Sequence, residues 1–219
     1  MSDNIKIKFP SVNRVIRFFI IGDLFLWAGW GFIDPLFAIF VTKNIVGSTL
    51  LSLGFLAAIY WITKSCAQIP ISLFLDKTDG EKDDFYVLIL GLLVSSVTAF
   101  CFMAAKTMTV IYIIQFVKAV GFALYIPAWS AIFSRHLDKE HSAFEWAVSS
   151  SSVGFGIGAA GFLGGLIAAA GGIRLVFLIT GLMAIVSAGL LLLVPNLILP
   201  KEKLGKPETM SDHIRAGIK

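Results

Sequence analysis

Charged residues are scarce in this chain: Asp, Glu, Lys and Arg make up only 15% of its 219 residues. A soluble domain carries about a quarter. Polar stretches are equally short, and no loop is long enough to fold a water-soluble domain. Cysteine is limited to Cys66 and Cys101. Each lies in an apolar stretch, which excludes a disulfide framework and leaves small apolar filler as the expected role. Histidine is limited to His136, His141 and His213, all in polar segments. None sits near a serine or cysteine in an apolar stretch, so the nucleophile and base that hydrolysis needs do not meet. Metal-ligand spacing is missing, and so is a P-loop. The chain is expected to be no enzyme, to hydrolyse no ATP and to carry no metal or cofactor. The ten-residue alternation of a membrane barrel is absent too.

Apolar residues are what the chain has, at 57% of its length. They fall into six runs: 17–41, 48–75, 85–105, 108–133, 143–170 and 173–196. About 20 apolar residues cross ~30 Å of hydrocarbon as a helix. Lipid offers backbone amides no partner, so each run must be helical. The reading is an all-α membrane protein: a segment 1–16, a six-helix transmembrane domain 17–197 and a polar tail 198–219. The first run is too long for a cleaved signal peptide and is expected to be retained.

The basic residues set the orientation. Lys6, Lys8, Arg14, Arg17, Lys77, Lys82, Arg135, Lys139, Lys201, Lys203, Lys206, Arg215 and Lys219 fall at one set of span ends. Only Lys43, Lys106 and Arg174 fall at the other. Basic loops stay in the cytoplasm, which predicts both termini there and a multi-pass protein of the cytoplasmic membrane. The same distribution leaves no basic face for nucleic acid. The segment 76–84 is unusual in holding Asp76, Asp79, Glu81, Asp83 and Asp84 against Lys77 and Lys82, but acids count little toward orientation.

Well inside the runs, away from their ends, lie Asp23, Asp34, Lys64 and Lys118. Each costs roughly 2.5–3.5 kcal/mol at the bilayer centre on insertion scales, so such residues mark a bundle interior or a wet pathway. Asp23 and Asp34 are eleven residues apart, three helical turns plus about 20°, and share one stripe. Trp27, Trp30 and Gly31 lie on or near it, a surface suited to an organic or cationic solute. Depth predicts Asp23 near Lys64, with Gln68 one turn on, and Asp34 near Lys118, with Gln115 close by. Structural ion pairing alone is the plainer alternative. Pro35, Pro70 and Pro127 should kink their helices, and membrane neighbours can satisfy the freed carbonyls.

Three motifs stand out: Ser72-Leu-Phe-Leu-Asp76-Lys77-Thr-Asp-Gly80-Glu-Lys82 after the second run, Gln115-Phe-Val-Lys118-Ala-Val-Gly121 in the fourth and Gly154 to Gly165 in the fifth. Together they resemble the N-terminal half of a major facilitator superfamily (MFS) transporter. For the first, the family pattern is glycine, three residues, Asp-Arg, a residue, glycine and two basic residues. Ser72 replaces the glycine, Lys77 the arginine, and one extra residue precedes Gly80. The resemblance implies a cytoplasmic gate latch at Asp76 and Lys77, with Arg135 as partner; a solvated Asp-Gly turn fits the same letters. In the fourth run, Gln115-Phe-Val-Lys118-Ala-Val-Gly121 is similar to the family's Arg-x-x-Gln-Gly-x-Gly. Gln115 stands where the family has the arginine tied to proton coupling, and Lys118 brings a charge one turn on, which leaves the coupling ion open. In the fifth, Gly154 to Gly165 resembles a glycine-rich antiporter motif, with Ala160-Gly161 in place of Gly-Pro. Gly156, Gly161, Gly164 and Gly165 should let backbones approach closely, whether for export or for packing alone. Gly156-x-Gly158-x-x-Gly161 also spells a dinucleotide fingerprint, but that motif needs a preceding strand.

The resemblance implies a secondary active transporter of a small organic solute, ion- or proton-coupled, with export favoured. Its substrate and coupling cavity would hold Asp23, Trp27, Trp30, Asp34, Lys64, Gln68, Gln115 and Lys118. Family members carry two six-helix halves. This chain is therefore expected to pair as a homodimer or with a separately encoded second half, since a lone half would leave Asp23, Asp34 and Lys118 facing lipid. A non-transporting scaffold or truncated pseudo-transporter is the alternative, and a six-helix channel a third.

Overall fold

A computed structural model describes residues 10–77 and 81–194. Lys6, Lys8, Gly80, the basic residues from Lys201 onward and the tail lie outside them. Six helices follow in order: α1 Arg14–Asn44, α2 Leu50–Lys77, α3 Lys82–Ala104, α4 Met108–His136, α5 Ser142–Gly171 and α6 Ile173–Leu192. Each is long and apolar enough to cross a membrane. Among the described residues the only strand-like feature is a bridge between Val46 and Thr107.

Local chemistry sets the ends. The Asn13 side chain accepts the Val15 N–H at 3.0 Å and starts α1. Thr107 precedes α4 and accepts from Val110 N–H at 3.5 Å. Gly172 takes a φ of 81° between α5 and α6, a conformation that a Cβ would strain. Helix α1 runs about one turn beyond its apolar run at each end, α4 begins at Met108 as expected and runs one turn past it to His136, and α6 stops at Leu192, short of the expected 196. Pro35, Pro70 and Pro127 all lie inside helices.

Helices α1, α6, α3 and α4 form a closed ring in that order, with α2 flanking α4 and α5 flanking α1 and α6. Helix α1 is the hub, and its sequence divides into three faces. Gly22 and Gly29, seven residues apart, face α6, where Ser187 and Thr180 hydroxyls donate to their carbonyls at 2.7 and 2.6 Å. Such bonds between membrane helices are worth about 0.6 kcal/mol each. Gly31 and Phe32 face α5. Phe19, Trp27 and Trp30 face α4 and meet Trp129 and Phe122. Gly31 thus sits on the α5 contact and not on the acidic stripe assigned to it from sequence. On the far side of the ring, Ser96 donates to the Gly181 carbonyl at 2.9 Å and ties α3 to α6. The core between these helices is aromatic, with Phe19, Trp30, Phe102, Phe122, Phe133 and Phe177 all but inaccessible.

Two glycine contacts set the helix spacing. A Cβ on Gly91 of α3 would lie 2.7 Å from the Gly121 carbonyl oxygen of α4. A Cβ on Gly164 of α5 would lie 2.5 Å from the Phe32 carbonyl oxygen of α1. Of the glycines expected to pack, Gly156 faces the Leu24 side chain and Gly161 is in ordinary contact range of α1. Gly165 meets nothing within 4 Å and faces outward, which corrects its assignment as a packing residue. Gly164→Ala should therefore lower stability by about 1–3 kcal/mol through overpacking, read as a fall in melting temperature in detergent. Gly165→Ala should leave it unchanged.

Candidate functional site

The stripe on α1, one face of α2 and one face of α4 converge on Phe122. Its ring lies 5.4 Å from Trp27, 5.9 Å from Trp30, 6.0 Å from Tyr60 and 6.5 Å from Tyr125. Lys118 stands one turn before Phe122 on α4. Its Nζ sits 3.5 Å from the centre of the Trp30 ring, 5.3 Å from Tyr60 and 5.9 Å from Phe122. This is an ammonium in an aromatic cage, about 15 Å along the helix from its start. The Trp30 indole N–H donates to Ser95 Oγ at 2.8 Å, which holds that ring in place from behind.

Asp34, one turn beyond Trp30, is exposed on the open side of this face. Trp30, the ring over which Lys118 lies, is one turn from it on α1. No ion-pair contact joins Asp34 and Lys118 among the described residues. The expected neighbourhood is therefore present, and the direct contact is not.

Asp23 is placed differently from expectation. It is buried, and its carboxylate accepts the Tyr125 hydroxyl at 2.7 Å. Lys64 lies elsewhere, half-buried, with Nζ 4.0 Å from the Trp61 ring centre and 5.6 Å from Tyr60. The Asp23–Lys64 pairing is replaced by a carboxylate–phenol bond and a lysine lying over its own helix's aromatics. The expectation that Asp23 would face lipid in a lone half is corrected for the same reason. Gln68 is half-buried on α2. Gln115 is buried, and its Nε2 donates to the Leu56 carbonyl at 3.4 Å, bracing α4 on α2. Its Oε1 has no partner among the described residues.

One end of the bundle holds a second polar cluster. Arg135 at the C-terminus of α4 pairs with Asp84 in the first turn of α3, and stands 3.9 Å from Glu81. His136 Nε2 lies 3.1 Å from Glu81 Oε2, and its carbonyl accepts from Asn13 at 3.4 Å. Glu145 in the first turn of α5 is buried and accepts the Asp138 backbone N–H at 2.9 Å. Asp76 and Lys77 are exposed at the end of α2, and Asp76 makes no ion pair with Arg135. The partner assigned from sequence is wrong for a physical reason. α3 lies along α4, and an acid in the first turn of α3 is also favoured by the helix dipole. The signal was the acid excess over 76–84, which holds both Glu81 and Asp84.

On the adjoining turn, His141 donates to or shares a proton with Asp138 at 3.0 Å, and the Glu140 N–H adds a bond at 3.0 Å. In that order of size, the two hold the Asp138 carboxyl below its ordinary 3.8. A lowered carboxylate favours the fold above its ordinary value and loses that contribution as pH falls through the lowered one. The group is exposed, so melting temperature should show only a slight acid-side dependence on Asp138→Asn.

An apolar cavity of about 260 Å³ lies on the opposite side of α1, lined by Leu24, Ala28, Phe32, Gly156, Leu163 and Met183. Its lining holds no ionisable group, so it is separate from the Lys118 face.

Comparison with known proteins agrees with this architecture. An uncharacterized MFS-type transporter of Methanocaldococcus jannaschii is 24% identical over 160 residues, covering 73% of this chain and 40% of the relative. The solved structure of the POT family transporter PepTSo superposes with a TM-score of 0.67 at 14% identity, over 87% of this chain and 39% of that one. The chain spans about 40% of the length of each. At that identity the structural likeness speaks for the fold. The profile of the Major Facilitator Superfamily matches residues 19–216, nearly the whole chain, and the chain belongs to that superfamily.

Proposed function

We propose that this chain is one six-helix half of a secondary active transporter for a small organic solute, working by alternating access in the cytoplasmic membrane. The observation that carries the reading is Lys118, a cation in an aromatic cage at membrane depth over the Trp30 ring, with the exposed Asp34 one helical turn beyond that ring. Charge at such depth is maintained for a pathway and not for lipid. The clustering of Asn13, Glu81, Asp84, Arg135, His136 and Glu145 at one end, with basic flanks, supports a cytoplasmic position for that end. Export is the favoured direction, resting on the glycine motif of α5. Coupling to protons or another ion follows from the same resemblance.

Helices α2 and α5 bury the least surface in the bundle. They carry outward Phe55, Trp61, Phe155 and Phe162, and Asp34 of α1 is exposed as well. This arrangement fits a second six-helix bundle seated across the two, either a second copy or another chain. Native mass spectrometry from mild detergent should show a pair; a monomer that retains transport would refute the pairing.

The transport test is flux into proteoliposomes with and without a pH gradient. Solute uptake or release should be lost in Asp34→Asn while melting temperature holds. A folded protein with no flux for any solute class would leave the scaffold reading in its place.

A further inference from the structure

Among the charges at membrane depth, two are engaged locally. Asp23 is held by Tyr125, and Lys64 lies over Trp61 and Tyr60. Lys118 and Asp34 are different. They have opposite sign, Lys118 lies over the Trp30 ring with Asp34 one turn beyond that residue, and no ion-pair contact joins them among the described residues. An apolar wall of Trp30, Tyr60 and Phe122 surrounds the Lys118 ammonium. Ring faces attract the ammonium but leave its charge unneutralised. The Trp30–Ser95 bond keeps the wall in position without a ligand.

We propose that this face takes a zwitterionic organic solute with a flat apolar body, an inference that rests on the transport reading. The solute's carboxylate would meet Lys118, its ammonium would meet Asp34, and its body would lie on the aromatic wall. A solute with only a positive charge gains Asp34 and is repelled by Lys118. A solute with only a negative charge meets the reverse. A neutral solute leaves both protein charges unanswered in a poorly hydrated place. Only a molecule bearing both signs, a few ångströms apart, satisfies the pair in one binding event, and the order of charges sets its direction along the face.

Three probes with one indole skeleton test this: tryptophan as zwitterion, tryptamine as cation and indole-3-propionate as anion. Binding to the purified full chain is read by calorimetry and by thermal shift, alongside flux in proteoliposomes. Tryptophan should bind at least about tenfold tighter than either singly charged probe, a difference of ~1.4 kcal/mol. Lys118→Gln should erase the preference over tryptamine, and Asp34→Asn the preference over indole-3-propionate, with melting temperatures retained. Equal binding of all three, a preference for a singly charged probe, no binding of any, or unchanged preferences in the variants would each overturn the proposal. Tryptophan binding without flux would support the site and remove the transport reading. Flux of tryptamine or indole-3-propionate in preference to tryptophan would keep transport and remove the zwitterion.

Discussion

Replacing Arg135 with alanine is expected to cost about 3–5 kcal/mol of stability, the range for removing one partner of a buried ion pair. Asp84 is fully buried and accepts the Arg135 guanidinium, while the arginine side chain is itself only 21% exposed. The loss would take the guanidinium away from this buried carboxylate. Glu81, 3.9 Å from the same guanidinium, would lose its neighbour as well and keep only His136. The end that anchors α3 to α4 should therefore open first. Unfolding in mixed micelles of detergent and dodecyl sulfate would measure the cost. Asp84→Asn should be milder, since it removes the charge that burial penalises. The double variant Arg135→Ala with Asp84→Asn should recover part of the loss of Arg135→Ala, and that non-additivity is the signature of a direct pair. Additive costs would mean that the two residues act separately. Asp76→Asn, the change that the motif resemblance singles out, should leave this stability unaltered.

Lys118→Ala is expected to lower solute flux about 30-fold or more while leaving the fold intact. Truncating a charge that meets an oppositely charged partner in a desolvated site costs ~2–5 kcal/mol of interaction. The structural cost is smaller, because Lys118 makes no ion-pair contact; its loss removes a cation–ring attraction worth up to ~2 kcal/mol. Flux and melting temperature should separate for this reason. Lys118→Arg should not restore flux, since a planar fork does not fill the cage as a compact ammonium does. Retained flux in Lys118→Ala would remove the charge from the mechanism and send the search for the pathway to another face.

The six helices were readable because bilayer thickness and backbone desolvation leave an apolar run of this length one conformation. Some ends were less readable: Asn13 caps α1 ahead of its apolar residues and starts it at Arg14, whereas α4 begins at Met108 as expected. In the site, Trp30 and Lys118 could both be picked out by chemistry, yet their contact could not. It depends on α1 and α4 crossing at Phe122, which no spacing within either helix encodes. Asp23 shows the limit more clearly. Its partner Tyr125 is 102 positions away and passes in sequence for one more aromatic in an apolar run. The same ignorance of which helices adjoin sent Arg135 to Asp76 when α3 offered Asp84 and Glu81 alongside. Gly165 shared its motif with Gly164 but not its face, because adjacent residues on a helix differ by about 100°.

The two hydroxyls of α6 that reach α1 are seven residues apart, and so are the carbonyls that receive them. Two marks at equal spacing on antiparallel rods coincide at a single setting. A slide of one turn, ~5.4 Å, would break both bonds together and replace neither. These two bonds therefore hold α6 in register along α1. In the proposed transport cycle the two helices would move as one strut, leaving the swing to the flanking helices.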